Sequence, residues 1–502
     1  MALIWEGGAW PPEADAARLE DYRRYQLLFE GDHATAFEQM SAYLPPGRRR
    51  RLTYLVLNYA GLITKLAADL LFSEAPVFNA PAGEGLQSLK EIIGTEAAAD
   101  EDGEEEPGNS LNTTLYESAL SASFRGDAVF RVRWGKRHPD DTEETVIIEE
   151  VPASSYFVEL SPDNVRQVLS ECVAWVHRVP NSKTCYLRVE EHTPGFIRNK
   201  AFRLHEATGK VGSEVPLEVV YGSDVAVPPV EERTGVNRSL LVHVPNFRHG
   251  SRYFGMSDFY DLEPLFDALN NRVSKSDRVL DRHCNPKLVL PSGSTDQQGV
   301  VQLSDVDTYE VDSAQMAAAV KYVTWDAKLE AAFRHAEMLI DQIFRLAEVS
   351  PAAFGLDKAG NIESGRAMKM RFIRTAAKIA RKRQYFDVAI RRVLWLAQKL
   401  KQLRAAGPKP VKVEIHWMDG IPEDYKEAVE NEARRIEAGL TSKESALKRI
   451  DNVDDDQARE EIERMRQEAP TPTAPATLPA GDKGRETPAP EAEKPPAAPA
   501  AA

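Results

Sequence analysis

Between Arg366 and Arg404 the chain carries thirteen lysines and arginines against one acid, Asp387, a local charge of +12. The whole 502-residue chain has a formal charge of −15, so everything outside this segment sums to −27. Arg371, Arg374, Lys378 and Lys382 step by three and four and share one face of a helix, whereas Phe372, Ala376, Ile379 and Ala380 occupy another. Cations so spaced can neutralise a polyanion laid along them, or pair with acidic residues of a neighbouring surface. Both readings fit the charge inversion, because the acid surplus elsewhere supplies partners in quantity.

No motif of catalysis or nucleotide binding accompanies this segment. The pattern GxxxxGK[ST] is missing; Ala207-Thr208-Gly209-Lys210 lacks both the leading glycine and the following hydroxyl. GxSxG, HExxH and GxGxxG do not occur. The acid pairs Glu149-Glu150 and Glu190-Glu191 lie in strand-like runs, where neighbours point to opposite faces and do not converge on one ion. His335 reads as a packing or surface histidine. Cys172, Cys185 and Cys284 form no CxxC pair, which fits a reducing site of folding. No catalytic, cofactor or metal site is expected.

The elements that must position the basic segment belong to a chain too long for one ordinary domain. Hydrophobic residues at 42% and charged residues at 28% allow large buried cores. No apolar window is long enough to span a membrane, and the opening MALIWEGGAW predicts no signal peptide. Helices are expected over 15–40, 51–72 and 110–124, with the acidic run Asp100–Glu106 as an exposed loop. From Asp127 the period changes to two, and AVFRVRW, TVIIEEV, CVAWVHRV, CYLRVEEHT and AFRLHEA predict an antiparallel meander. Ser257 is a candidate cap for a helix with Leu262, Phe266, Leu269, Val273 and Leu280 near one face.

A small β-rich excursion follows over 287–324. A second helix then begins at Asp326, with Leu329, Phe333, Ala336, Ile340 and Ile343 as its packing seam. Two helices therefore bracket a small insertion. Pro351 closes the second, Gly355 and Gly360 loosen the loop behind it, and Ser364 can cap the basic helix, which runs for about 40 residues to Gly407-Pro408. Val411, Val413, Ile415 and Trp417 alternate as a strand, and 423–468 is helical with breaks at Gly439 and near Asp451–Asp456. Nine prolines and eleven alanines among the last 34 residues predict a disordered tail over 469–502. Arg48–Arg51 reads as a solvated turn, with a capsid or nucleic-acid contact as the alternative.

Three separated stretches resemble tailed-bacteriophage portal proteins of the siphophage type. Phe254-Gly255-Met256-Ser257-Asp258, with Pro264-Leu265-Phe266-Asp267-Ala268-Leu269-Asn270 and later Asn285-Pro286, is similar to the entry into a first stem helix and its exit into the clip. Ser364-Gly365-Arg366-Ala367-Met368-Lys369 resembles the start of the long helix after the tunnel loop. Val413-Glu414-Ile415-His416-Trp417, then Gly439–Ala446 and Asp454–Asp456, is similar to the last wing strand and the crown.

The resemblance implies an α+β subunit. Its parts are a wing (1–256, helices plus β meander), stem helices (257–283 and 326–348) around a clip (284–325), a tunnel loop (349–364), the long basic helix (365–407), and a wing strand with crown helices (408–468). It implies a non-enzymatic ring of about twelve copies at one capsid vertex, a channel for double-stranded DNA in packaging and ejection. The implied partners are terminase large subunit, major capsid and scaffolding proteins and a head–tail adaptor, with no membrane. The implied place is the virion, after assembly in the host bacterial cytoplasm. Phe354, Leu356, Asp357, Lys358, Asn361 and Ile362 become the channel loop. Arg371, Arg374, Lys378 and Lys382 become either a basic belt near DNA or a contact with acidic residues of the next subunit. A DNA-binding adaptor that forms no ring, and a metal-dependent DNA-processing enzyme, are the competing classes.

Overall fold

The computed structural model describes residues 3–38, 54–94, 98–99, 105–106, 109–137, 141, 143–179, 184–221, 227–284, 287–291, 308–311, 321–323, 329–354, 365–418, 425–451 and 455–468. The chain divides into two compact units, Met1–Pro422 and Glu423–Ala502. The tetra-arginine turn, most of the acidic loop, the caps Asp326 and Ser364 and the expected tail lie outside the described residues.

In the first unit α1 (Glu13–Glu30) stops at Gly31, whose φ of +89° is left-handed and whose N–H reaches the carbonyls of Leu27 and Leu28. The helix expected to continue to residue 40 is therefore cut at that glycine, and a separate turn, His33–Ala36, restarts on Asp32. The second expected helix is shorter too: α2 (Tyr59–Phe72) begins only after Asn58. The Asn58 side chain accepts the Gly61 N–H at 2.8 Å and donates to the Phe29 carbonyl at 3.0 Å, so one amide opens α2 and closes α1. Then come β1 (Val77–Asn79), α3 (Glu84–Ile93) and α4 (Leu111–Arg125).

The two-residue period produces β2 (Asp127–Gly135), β3 (Thr145–Val151), β4 (Tyr156–Leu160), β5 (Val168–Arg178), β6 (Cys185–Thr193), β7 (Phe196–His205), β8 (Lys210–Val215), β9 (Glu231–Arg233) and β10 (Leu241–Pro245). They form two sheets where one meander was expected. One has the order β10–β2–β3; the other runs β8–β7–β6–β5–β4, with β9 also on β7, all antiparallel. The reason is burial on both sides of β2. Ala128, Phe130 and Val132 face the core built by α2, α3 and α4, while Val129 faces Tyr22, Tyr156 and Val173. Arg131 crosses between the sheets, 2.7 Å from Glu149 on β3 and 2.9 Å from Glu190 on β6. One acid of each pair, Glu149 and Glu190, is thereby tied up in an inter-sheet clamp.

Next, α5 (Glu263–Cys284) leads into β11 (Lys287–Pro291), β12 (Thr308–Val311) and β13 (Lys321–Val323), and α6 (Leu329–Leu346) returns. The small sheet has β11 in the middle, parallel to β12 and antiparallel to β13. α5 and α6 pack against each other over a core of Phe259, Leu262, Phe266, Leu269, Leu339, Ile343 and Phe344. Each such side chain removed from water contributes about 1.5–3 kcal/mol.

A 3-10 turn at Pro351–Phe354 precedes α7 (Gly365–Arg404), which buries Phe386, Ile390, Val393, Leu394, Leu396 and Leu400 in the main core. β14 (Glu414–His416) pairs with β1. The second unit holds α8 (Tyr425–Glu437), α9 (Lys443–Asp451) and α10 (Asp455–Glu468), with Gly439 left-handed at φ +68° where a break was expected.

Candidate functional site

Two glycines make the crossing on which the site is built. A Cβ on Gly255 would stand 2.2 Å from the Gly126 carbonyl oxygen and 2.9 Å from the Asn246 nitrogen, and one on Gly126 would meet the Met256 and Ser257 backbone at 2.8 Å. Gly126 also ends α4 with φ +99°, in the left-handed region. The stretch Phe254–Asp258 thus lies directly on the α4–β2 corner. Ser257 does not cap α5; its hydroxyl donates to the Phe124 carbonyl at 2.6 Å and accepts the Phe259 N–H at 3.0 Å, shaping the turn before the helix.

Asp258 is the hub. One carboxylate oxygen accepts from the Ser123 hydroxyl (2.6 Å) and the Lys382 ammonium (2.6 Å), and the other accepts from the Asn246 amide (3.1 Å) with the Lys378 ammonium at 3.2 Å. Lys382 also donates to the Asn246 side-chain oxygen, and Lys378 donates to the Ala347 carbonyl at 2.9 Å. Burial by itself raises a carboxyl pKa, but the charges of Lys378 and Lys382 and the hydrogen bonds from Lys382 and Ser123 hold Asp258 well below the usual range. Burial pushes the Lys382 ammonium down to about 8, against the opposing pull of Asp258.

The same stretch of α7 grips the end of α6. Glu348 has φ +56°, a left-handed helix end without glycine. Val349 N–H returns to the Phe344 carbonyl at 2.9 Å, the Thr375 hydroxyl accepts the Ser350 N–H at 2.9 Å and contacts the Glu348 carbonyl, and Arg381 pairs with the Glu348 carboxylate. The strained residue is held from several directions. α7 is therefore fastened both to the approach to α5 and to the exit from α6, on either side of the α5–α6 hairpin.

A second buried cluster lies behind the crossing. Asp127 accepts from Tyr22 (2.5 Å), the His243 Nε2 (2.5 Å) and the Gly255 N–H (2.7 Å). His243 stacks on Tyr253 and Tyr156 and has Arg248 at 3.3 Å from its Nδ1. The Asp127–His243 pair is sealed from solvent and has Arg248, not a hydroxyl or thiol, on the far His243 nitrogen, so it packs the corner rather than activating a nucleophile. Among the described residues no group of three or more His, Cys, Asp or Glu could hold a metal ion. No helix among them is long and apolar enough to cross a membrane.

The residues singled out from sequence fall in different places. Lys378 and Lys382 face neither outward belt nor outward contact: both are buried, and their acid is Asp258 of the same chain. Arg371 and Arg374 are exposed; of the apolar set Ile379 is buried, Phe372 is half-buried, and Ala376 and Ala380 are exposed. In α6, Ile343 is buried, and Leu329, Ala336 and Ile340 are half-buried, whereas Phe333 is 48% exposed and Leu339 and Phe344 take core positions instead. Phe354 sits in the 3-10 turn with its ring 5.4 Å from Phe344, against the core. Leu356, Asp357, Lys358, Asn361 and Ile362 lie outside the described residues. Asp258 was visible only as part of a motif; nothing in a single sequence pairs it with lysines 120 residues later.

Polar clusters that serve as joints between elements define a structural scaffold. Residues 205–471 match the family described as "Phage portal protein, SPP1 Gp6-like", and the chain belongs to this portal protein family. The family is a structural one of phage portal proteins. No curated protein matches the chain. Among solved structures it is similar to the neck of a native gene transfer agent particle computed with C12 symmetry, at 12% identity over 78% of this chain and 90% of that one, TM-score 0.37. It is also similar to a chain of the virion of the native gene transfer agent particle, at 12% identity over 89% and 96%, TM-score 0.38.

Proposed function

We propose that this portal-family chain forms a ring of about twelve copies at one capsid vertex, through which double-stranded DNA is packaged and later ejected. The observation that carries this reading is the family match, which takes in the α5–α6 hairpin, the stretch behind it, α7 and α8–α10 of the second unit. In this reading α5 and α6 are the stem, β11–β13 the clip, and α8–α10 the crown. Terminase docks on the ring during packaging, a head–tail adaptor replaces it, and capsid and scaffolding proteins surround it, with assembly in the host cytoplasm before the ring enters the virion.

The loop between α6 and α7 lines the channel. Leu356 and Ile362 offer apolar contacts, Asn361 a neutral polar one, and Lys358 offsets Asp357. A channel that must let its cargo pass needs such a balance, because each neutralised phosphate adds affinity and drag. The joint at Asp258 and the clamp on Glu348 support this role by holding both helices that flank the loop. Electron microscopy and light scattering of the purified chain test the ring directly. In a packaging reaction with the cognate terminase and procapsid, Asp357→Lys should slow DNA entry while leaving rings intact. Rings absent at every concentration, or packaging unchanged by both Asp357→Lys and deletion of residues 356–361, would refute the ring and the loop assignment respectively.

A further inference from the structure

We propose that neighbouring copies meet through the outward face of α7 on one and the outward face of α6 on the next. This rests on the ring reading and names the surfaces that make it. Exposed large apolar side chains are scattered singly over much of the chain, as on any soluble surface, but two helices concentrate them. On α7 they are Met370, Ile373, Val388, Trp395 and Leu403, with Val388 68% and Ile373 61% exposed; on α6 they are Phe333, Met338 and Leu346. The inward sides of both helices are already occupied, α6 by α5 and α7 by the main core. The outward faces have no cover among the described residues.

Helical geometry organises the α7 face. Met370, Ile373, Val388 and Trp395 fall within about 60° of one another around the axis, a straight stripe along about 37 Å of helix. Arg374, Arg381 and Arg392 follow one flank of it. Two such faces brought together would set arginine against arginine at close range, so the stripe does not suit a symmetric contact with itself. It suits an apolar surface carrying acids. On α6, Glu337 and Asp341 lie on the exposed side between Phe333 and Met338, and neither forms an ion pair among the described residues. Glu330 is already turned to Arg334 on its own helix.

Because the two faces are different patches of one chain, their union is head-to-tail. Every copy offers one of each, and repetition closes a ring when the rotation permits. Lys378 and Lys382 are committed inside the subunit, and the arginine flank with the apolar stripe takes their place.

Light scattering with a parallel thermal melt reads the outcome. Ile373→Glu with Val388→Glu should convert rings to monomers while the melt stays that of the wild-type subunit, since both positions are exposed. Arg374→Glu with Arg392→Glu should do the same, and adding Glu337→Arg and Asp341→Arg should restore assembly. Independently, a chain carrying Met338→Cys and Val388→Cys should give a ladder of oligomers with a bis-maleimide, while either single variant stops at dimers. Wild-type protein that stays monomeric overturns both the ring and this surface. Rings that survive the glutamate substitutions, with no ladder, overturn the surface and leave the ring reading standing. Loss of assembly that the charge exchange does not restore, again with no ladder, shows that α6 is not the opposing face.

Discussion

Asp258 in the first unit and Glu432 in the second each gather two cations, and the contrast between them lies in how much water reaches the charges. At Asp258 the carboxylate and both lysines are almost closed to solvent. At Glu432 the carboxylate accepts from Arg449 at 3.0 and 2.8 Å and from Arg435 at 2.7 Å, but the two arginines keep 44% and 47% of their side chains exposed. Water and salt weaken the second joint, whereas the first has neither. The open joint can lose a partner and let solvent take over. The closed one leaves a stranded charge when any member goes, so it fixes the α7 approach to the α4–β2 corner in a way the open joint cannot fix α8 to α9.

The largest effect tests the crossing on which the closed joint stands. Gly255→Val places a branched side chain where even a Cβ has only 2.2 Å to the Gly126 carbonyl oxygen. We expect no cooperative melt for this variant; a wild-type melt would show that the two backbones part easily. Next comes Asp258→Asn, which keeps the shape and removes the charge between two buried lysines. A loss of about 3–5 kcal/mol is expected in urea unfolding, and adding Lys382→Met should recover part of it. A double variant as weak as the single would show that charge is not what the joint provides.

The pH dependence sharpens the same contrast. Lys382 titrates near 8 in the folded chain against 10.5 for an ordinary lysine. Between those values the unfolded chain holds the extra proton, so wild-type stability relative to Lys382→Met should rise as pH increases across that window. At the acid end Asp258, depressed in the folded state, contributes stability above the ordinary carboxylate range that is lost as pH falls below it. A flat difference between wild type and Lys382→Met from pH 8 to 10.5 would contradict the burial of that ammonium. The smallest effect belongs to the open joint: Glu432→Gln should lower the melting midpoint slightly at low salt and leave it where it was at high salt. A clear drop that persists at high salt would place Glu432 in a drier setting than its arginines indicate.

Local signals carried much of the architecture. The change of period at Asp127 marked the strands, the two apolar helices around a β-rich insertion were apparent, and Gly439 marked the break between α8 and α9. The single stops were harder. Gly31 and Asn58 truncate two helices by capping chemistry that a long apolar pattern concealed. The division of the strands into two sheets depended on β10 returning about a hundred residues after β2 to pair with it, a contact no local pattern encodes.

By itself the sequence determined which residues share a face, where charge concentrates and which motifs resemble a portal subunit, because these follow from spacing and residue type along one segment. Only the tertiary structure decided which face turns inward. Periodicity placed Arg371, Arg374, Lys378 and Lys382 together on α7, yet burial separates them, since Asp258 stands opposite two of the four and not the others. A helix with apolar and basic residues on several sides has no preferred inside until its neighbours arrive. An aspartate brought across from another part of the chain made that choice, by supplying the one environment in which a buried lysine keeps a partner.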